Sequence, residues 1–180
     1  MSAKASTRQI VRWELLKGLP GDGPVPKHFH LGHPTPWTEG FVVRFWNVDG
    51  SEWVGNFQHG GFGQNEITAW PEANAVVVVA ACNFYLVNVA DPTRFASVGP
   101  QSVVSRAILN EDHTTLYVAE EHRVIAYGLD LEPIWQSKRL GGIVISIEDR
   151  SSVIEVEIEE ELGKPLVKAR LSSRDGSWFE

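Results

Sequence analysis

The 180 residues carry 23 acidic and 16 basic side chains, a formal charge of −7, with 43% hydrophobic and 22% charged residues. This is the composition of an ordinary globular chain, expected to fold as a single domain over 1–180, and its negative balance argues against nonspecific attraction to nucleic-acid phosphates. Cys82 is the only cysteine, which excludes an internal disulfide and any multi-cysteine zinc or iron–sulfur site.

In chain order, residues 1–20 read as an N-terminal segment with basic residues but no apolar core or small-residue cleavage site, so no secretion signal is expected and the cytoplasm is the default compartment. Within it "TRQIVRWELLK" (7–17) is the one stretch that could form a helix, stopped by Gly18 and Pro20. Residues 21–40 read as a Pro/His-rich loop, because Pro24, Pro26, Pro34 and Pro36 favour extended, solvent-facing backbone.

From residue 41 to the end the pattern is a β meander. Short runs rich in Val, Ile, Phe, Tyr and Trp recur at 40–48, 51–57, 75–82, 84–89, 114–120, 123–129, 142–148, 153–159 and 165–171. Between them lie "VDGS", "ACN", "AEEH", "DLEP" and "ELGK", which supply the Gly, Asn, Asp and Pro that tight turns require. The run "ANAVVVVAAC" (73–82) is about half the length needed to cross a bilayer, so it reads as a buried strand and no membrane partner is expected. The expected fold class is all-β, antiparallel hairpins in a propeller-like or sandwich/barrel arrangement.

Sliding 69–92 along 107–132 with an offset of about 39 residues places Asn74 on His113, Val77 on Leu116, Leu86 on Ile125 and Asp91 on Asp130. Each copy runs strand, turn, strand, Asp-containing turn, and a weaker third copy starts near Ile147. All-strand repeats of roughly 40 residues are the mark of propeller blades. So few blades would have to close by other means or by pairing with a second copy of the chain.

The spacing of "LPGDGPVP", "EGFVVRFW", "EWVGNF", "VVVVAACNFYLVNVADP" and "VIAYGLDLEPIWQSKRLGGIVISI" resembles that of small, largely uncharacterised bacterial proteins built from propeller-like (quinoprotein/WD-type) blade repeats. The segment "VIAYGLDLEPIWQ" is similar to the strand–turn–strand unit of quinoprotein-type blades. The resemblance spans most of 19–148 and implies a fold, not a chemistry. The histidines of 28–33 depart from that pattern.

Those histidines are the one cluster of ligand-type side chains. On a strand His28 and His30 would project from one face, His33 could return after Gly32, and Glu39 would complete a cupin-like histidine and carboxylate set for a transition metal. The spacing to Glu39 is longer than a cupin motif and no second motif follows, so an exposed loop is the competing reading. The glycines of "QHGGFGQNE" (58–66) lack the ending of a phosphate loop. Cys82 sits in an apolar run and reads as core.

Near the C-terminus Ile154, Val156 and Ile158 alternate with Glu155, Glu157 and Glu159, and Lys164, Lys168 and Arg170 follow on the next strand. A hairpin at "ELGK" would set opposite charges across from each other. The competing reading is an acidic face for a basic protein partner. Trp37, in the proline-rich loop, is expected to be an exposed interface anchor. The functional expectation is a noncatalytic binding protein of the adaptor or toxin-neutralising type, with no cofactor, using Trp37, Glu155, Glu157 and Glu159. The alternative is a metal-dependent enzyme or small-ligand binder centred on His28, His30 and His33.

Overall fold

The structure is a computed structural model describing residues 10–31, 39–61, 63–98 and 103–179. The described residues are all-β, with one 3-10 turn at Pro71–Ala73. Two compact units, Met1–Ser97 and Val98–Glu180, are taken in turn.

The first unit holds two four-stranded sheets. One contains β1 (Ile10–Leu15), β2 (Lys27–Phe29), β3 (Phe41–Asn47) and β4 (Glu52–Phe57) in the order β1-β3-β4-β2, with β2 parallel to β4 and the other pairs antiparallel. Strand β1 replaces the helix expected over 7–17. An isolated helix of that length is marginal in water, whereas pairing Trp13 with Phe45 and Leu15 with Val43 gives the segment's backbone a ladder. Strand β2 lies inside the stretch expected to be loop. Pro24 and Pro26 precede the ladder rather than interrupt it, and Phe29 is 1% exposed.

The second sheet is a meander of β5 (Asn65–Trp70), β6 (Ala75–Ala80), β7 (Asn83–Asn88) and β8 (Phe95–Ala96). One face joins the core of the unit, where Val76, Val78, Tyr85 and Val87 meet Phe29, Phe41, Phe45, Trp53 and Phe57. Phe29 stacks on Phe57 at 4.5 Å and Phe45 on Trp53 at 4.2 Å.

In the second unit β9 (Val104–Leu109), β10 (Leu116–Glu120), β11 (Arg123–Tyr127) and β12 (Pro133–Gln136) form a four-stranded meander. Strands β13 (Ile143–Arg150), β14 (Val153–Glu159) and β15 (Val167–Ser172) form a three-stranded one. Their core is mostly aliphatic, with Ala119, Val124 and Leu140 packed on Val144, Ile147, Ile154, Val156, Ile158 and Leu171, and Tyr117 and Trp135 as its aromatic members.

The strands of the two meanders correspond at an offset of forty residues, whereas in the turns that open β6 and β10 Asn74 and His113, both at positive φ and each donating its N–H to the carbonyl three residues back, correspond at 39. Ala69 pairs with Val76 as Leu109 pairs with Leu116, and Ala80 with Asn83 as Glu120 with Arg123. Val77 therefore corresponds to Tyr117 rather than Leu116. One residue of slip exchanges the two faces of a strand. Around Ile147, where a third copy is expected, lies the β13–β15 sheet, which begins at Ile143 and turns between its first two strands through Ser151 and Ser152 alone.

A single turn device recurs. The carboxylates of Asp49, Asp91, Asp112 and Asp175 accept a hydrogen bond from the backbone N–H two residues on, at Ser51, Thr93, Thr114 and Ser177, over 2.9 to 3.2 Å. Hydroxyl and backbone bonds from Thr93, Thr114 and Ser177 hold the carboxyls of Asp91, Asp112 and Asp175 below the usual carboxylate range.

Candidate functional site

The three glutamates fall on the exposed face of β14, each with a partner. Glu155 lies opposite Arg170 in the β14–β15 register, and its Oε1 receives Arg170 Nε at 3.1 Å and Nη2 at 3.0 Å. Arg150 Nε stands 3.9 Å from the other oxygen. Glu157 lies opposite Lys168, whose Nζ is 3.6 Å away, and also accepts from Ser146 Oγ at 2.8 Å. Glu159 accepts the Gly163 N–H at 3.3 Å. The hairpin thus matches the acids of one strand with the cations of the next, and less free negative charge faces solvent than the sequence suggests.

Beside this ladder is a feature that sequence reasoning missed. Residues Ser177–Phe179 return along the outer edge of β15: Ser172 N–H donates to Ser177 O at 2.7 Å, Phe179 N–H to Arg170 O at 2.9 Å, and Trp178 bridges Leu171. The Asp175–Gly176–Ser177 turn makes the reversal. Gly176 has φ +68°, and a Cβ there would stand 2.6 Å from the Trp135 ring. Trp178 and Phe179, each 46% exposed, are thereby set beside a groove of about 380 Å³ lined with Glu155, Lys168, Ala169 and Arg170. The available signal was the repetition of "DGSEW" (49–53) as "DGSWF" (175–179), an Asp–Gly–Ser turn followed by aromatics.

A larger hollow of about 730 Å³ lies between β9 and β13, lined by Ile108, Leu109, Ile147 and the polar residues Glu111 and Glu148–Ser151. Asp149 accepts the Glu111 N–H at 3.3 Å through one oxygen, while its other oxygen is buried without a hydrogen bond.

The histidine cluster is described in part. The rings of His28 and His30 lie parallel, 5.9 Å apart, on one side of β2 and its continuation, as strand spacing requires. His33 and Trp37 lie outside the described residues. Asn56 fixes the tautomer of His28. Its Oδ1 accepts the Gly40 N–H at 2.8 Å, so its Nδ2 faces His28 Nδ1 at 3.0 Å and donates to it. His28 Nε2 then carries the proton and presents a donor rather than a lone pair. Gly40 is required at this point, because a Cβ would meet the Phe57 carbonyl oxygen at 2.0 Å. Burial, reinforced by His28, pushes the His30 imidazole below its usual range, and its Nδ1 is buried without a hydrogen bond. Among the described residues no three metal-ligating side chains come together.

The glycine-rich segment 58–66 is tied down at its start. Gln58 O accepts Asn83 Nδ2 at 2.9 Å and Tyr85 OH at 2.8 Å, and its side-chain oxygen accepts the Leu31 N–H at 2.9 Å. Cys82 is buried, and burial pushes its thiol up, away from the reactive thiolate.

No family model matches the chain, and no curated protein sequence is similar to it. Among solved structures it is similar to the dihydro-heme d1 dehydrogenase NirN in complex with DHE, with a TM-score of 0.53 and 12% identity over 77% of this chain and 32% of that one. Weaker likenesses are to the computationally designed Ika4 protein (TM-score 0.48, 11% identity, 68% and 75% coverage) and to a structural-genomics protein of unknown function from Bacteroides thetaiotaomicron (0.45, 14%, 82% and 45%). The NirN likeness supports a propeller-like all-β fold for this chain and nothing further, since the chain matches about a third of that protein's length. Among the described residues no helix is long and apolar enough to cross a membrane.

Proposed function

We propose that this chain is a noncatalytic binding protein of the cytoplasm that holds another macromolecule through the β13–β15 sheet, where Trp178 and Phe179 act as anchors. The observation that carries this reading is the pair of half-exposed aromatics fixed by backbone hydrogen bonds beside a groove with both charge signs on its walls. Rigid aromatics beside satisfied polar groups are the usual make-up of interface hot spots. Glu155 and Glu157 serve as the polar surround, their partners fixing them in place, and Glu159 buttresses the hairpin loop.

Affinity capture from a lysate of its native cells, with wild-type and Trp178→Ala chains side by side, tests the proposal. A partner retained by the first and lost by the second is expected. Recovery of the same proteins by both would refute the assignment of the anchor.

The second reading, metal binding through His28, His30 and His33, draws on the unpartnered Nδ1 of His30. Elemental analysis of protein purified without a histidine tag decides it. Less than stoichiometric metal is expected, because Asn56 holds His28 in the tautomer that donates at Nε2.

A further inference from the structure

The β13–β15 sheet has three strands where the other three sheets have four, and among the described residues Ser177–Phe179 alone stands in its fourth position. Along β15 the backbone groups of Arg170 and Ser172 point outward to that short segment. By the two-residue alternation of an antiparallel ladder, the N–H and C=O of Lys168 point outward too. Among the described residues no strand reaches that part of the edge.

The edge also differs in charge from the rest of the chain. Residues 162–174, "LGKPLVKARLSSR", hold Lys164, Lys168, Arg170 and Arg174 and no acid, in a protein of net charge −7. The glutamates that pair with three of these cations lie inward of β15, on β14 and in the loop that follows it. A newcomer would therefore meet the basic strand first. Val167, on that strand and 42% exposed, and the groove under Trp178 and Phe179 offer apolar contact at either end of the open stretch.

We infer that β15 accepts an extended acidic segment of a partner protein as an added strand, in line with Ser177–Phe179 and hydrogen-bonded to the outward backbone of Lys168. Its carboxylates lie along Lys164 and Lys168, and an apolar side chain enters the groove beside Trp178. Main-chain pairing supplies affinity in such additions, while pockets and charges select the sequence. An unguarded edge is otherwise a liability, and lysine on it discourages pairing with a second basic copy. The inference rests on the binding role proposed above and names the chemistry of the partner.

The probe is a fluorescein-labelled peptide of about six residues alternating Glu and Val, long enough to span the open edge. A Lys–Val peptide of the same length is the control, and both are titrated against the full chain by fluorescence anisotropy. The Glu–Val peptide is expected to bind at least about tenfold tighter than its control. Its affinity should fall with added salt, and amide exchange at Lys168 should slow in the complex. Lys168→Pro, which removes the outward donor, and Lys168→Glu, which reverses the charge without touching the ladder, should each weaken binding by about tenfold or more. If the proline variant loses its circular dichroism spectrum, the glutamate variant decides.

Equal affinity for the two peptides, absence of binding by either, or wild-type binding by the deciding variant would overturn the inference. So would a dimer in sedimentation whose Lys168 amide is protected without peptide, since the occupant would then be a second copy. A partner captured through Trp178 but indifferent to Lys168→Glu would leave the binding role standing and remove only the strand addition.

Discussion

The hairpins β6–β7 and β14–β15 use the same geometry on opposite terms. Every residue of β6 and all of β7 but Asn88 are buried, so both faces of that hairpin are covered. In β14 only Ile154, Val156 and Ile158 are buried, and the glutamates between them face outward. The difference shows what each pattern specifies: a continuous apolar run asks for cover on both sides, whereas strict alternation asks for one dry face and one wet one. The proposed binding surface needs an open face, which the second hairpin has and the first lacks.

The largest effect should come from emptying a position on the twice-covered hairpin. Leu86, fully buried on β7, should cost about 2–5 kcal/mol when replaced by Ala. Lys168→Ala on β15 should stay within about 0.5 kcal/mol. Urea unfolding of the two variants measures both, and a Leu86→Ala cost near that of Lys168→Ala would break the contrast.

A second effect separates the hairpins by pH. The chain's three tyrosines, Tyr85, Tyr117 and Tyr127, lie on β7, β10 and β11, and β14–β15 has none. Burial pushes all three hydroxyls up, that of Tyr85 included, and to about 12 for Tyr117 and Tyr127. The unfolded chain ionises near pH 10 while the folded chain does not. Their contribution is therefore whole below about pH 10 and is lost as the pH climbs through the folded values. Urea midpoints followed from neutral to alkaline pH should fall in that window, and Tyr127→Phe should flatten the fall. A midpoint independent of pH up to about 11 would show that the hydroxyls are wet.

The sequence made the inner strands of each sheet legible because they are short, β-branched and bounded by turn residues. β5 and β9 escaped notice because they lie at the outside of their sheets, half exposed, with polar residues such as Asn65, Glu66 and Arg106 breaking the apolar pattern, while β12 showed only through the strand–turn–strand likeness of 124–136. β1 escaped because its pattern fits a helix equally well until the free edge of β3 selects the strand. At the site, alternation was enough to put Glu155, Glu157 and Glu159 on one face. Trp178 went unread although the Asp-Gly of the turn at 175–177 is a local hairpin signal, because the segment after it is too short to show an alternation, and its exposure follows from the pairing of Trp178 with Leu171.

The turns sharpen the comparison at a smaller scale. Ala81 and Cys82 close β6–β7 with φ of 47° and 73°, in a left-handed region that suits Asn and Gly. Glu121 and His122, forty residues on, close β10–β11 without positive φ. Ala81→Gly should therefore stabilise the chain by about 0.5–1 kcal/mol, and the bond from its N–H to Asn65 Oδ1 is kept. The same change at Glu121 should give no gain. Thermal midpoints of the two variants check this, and a loss at Ala81 would mean that its methyl group packs better than the turn is strained.

The smallest effect belongs to the charged face itself. In Glu157→Gln the side chain keeps an oxygen for the Ser146 hydroxyl and loses only its pairing with Lys168, whose side chain is 73% exposed. An exposed pair of that kind contributes about 0.2–0.5 kcal/mol, and about 0.5 M salt should erase it. That is the expectation for a face open to water, and urea unfolding at low and high salt measures it. A cost above about 1 kcal/mol that salt does not touch would mean the pair is desolvated in solution. The β13–β15 face would then already be covered in the free protein, and the distinction between a hairpin buried on both sides and one with a wet face would vanish.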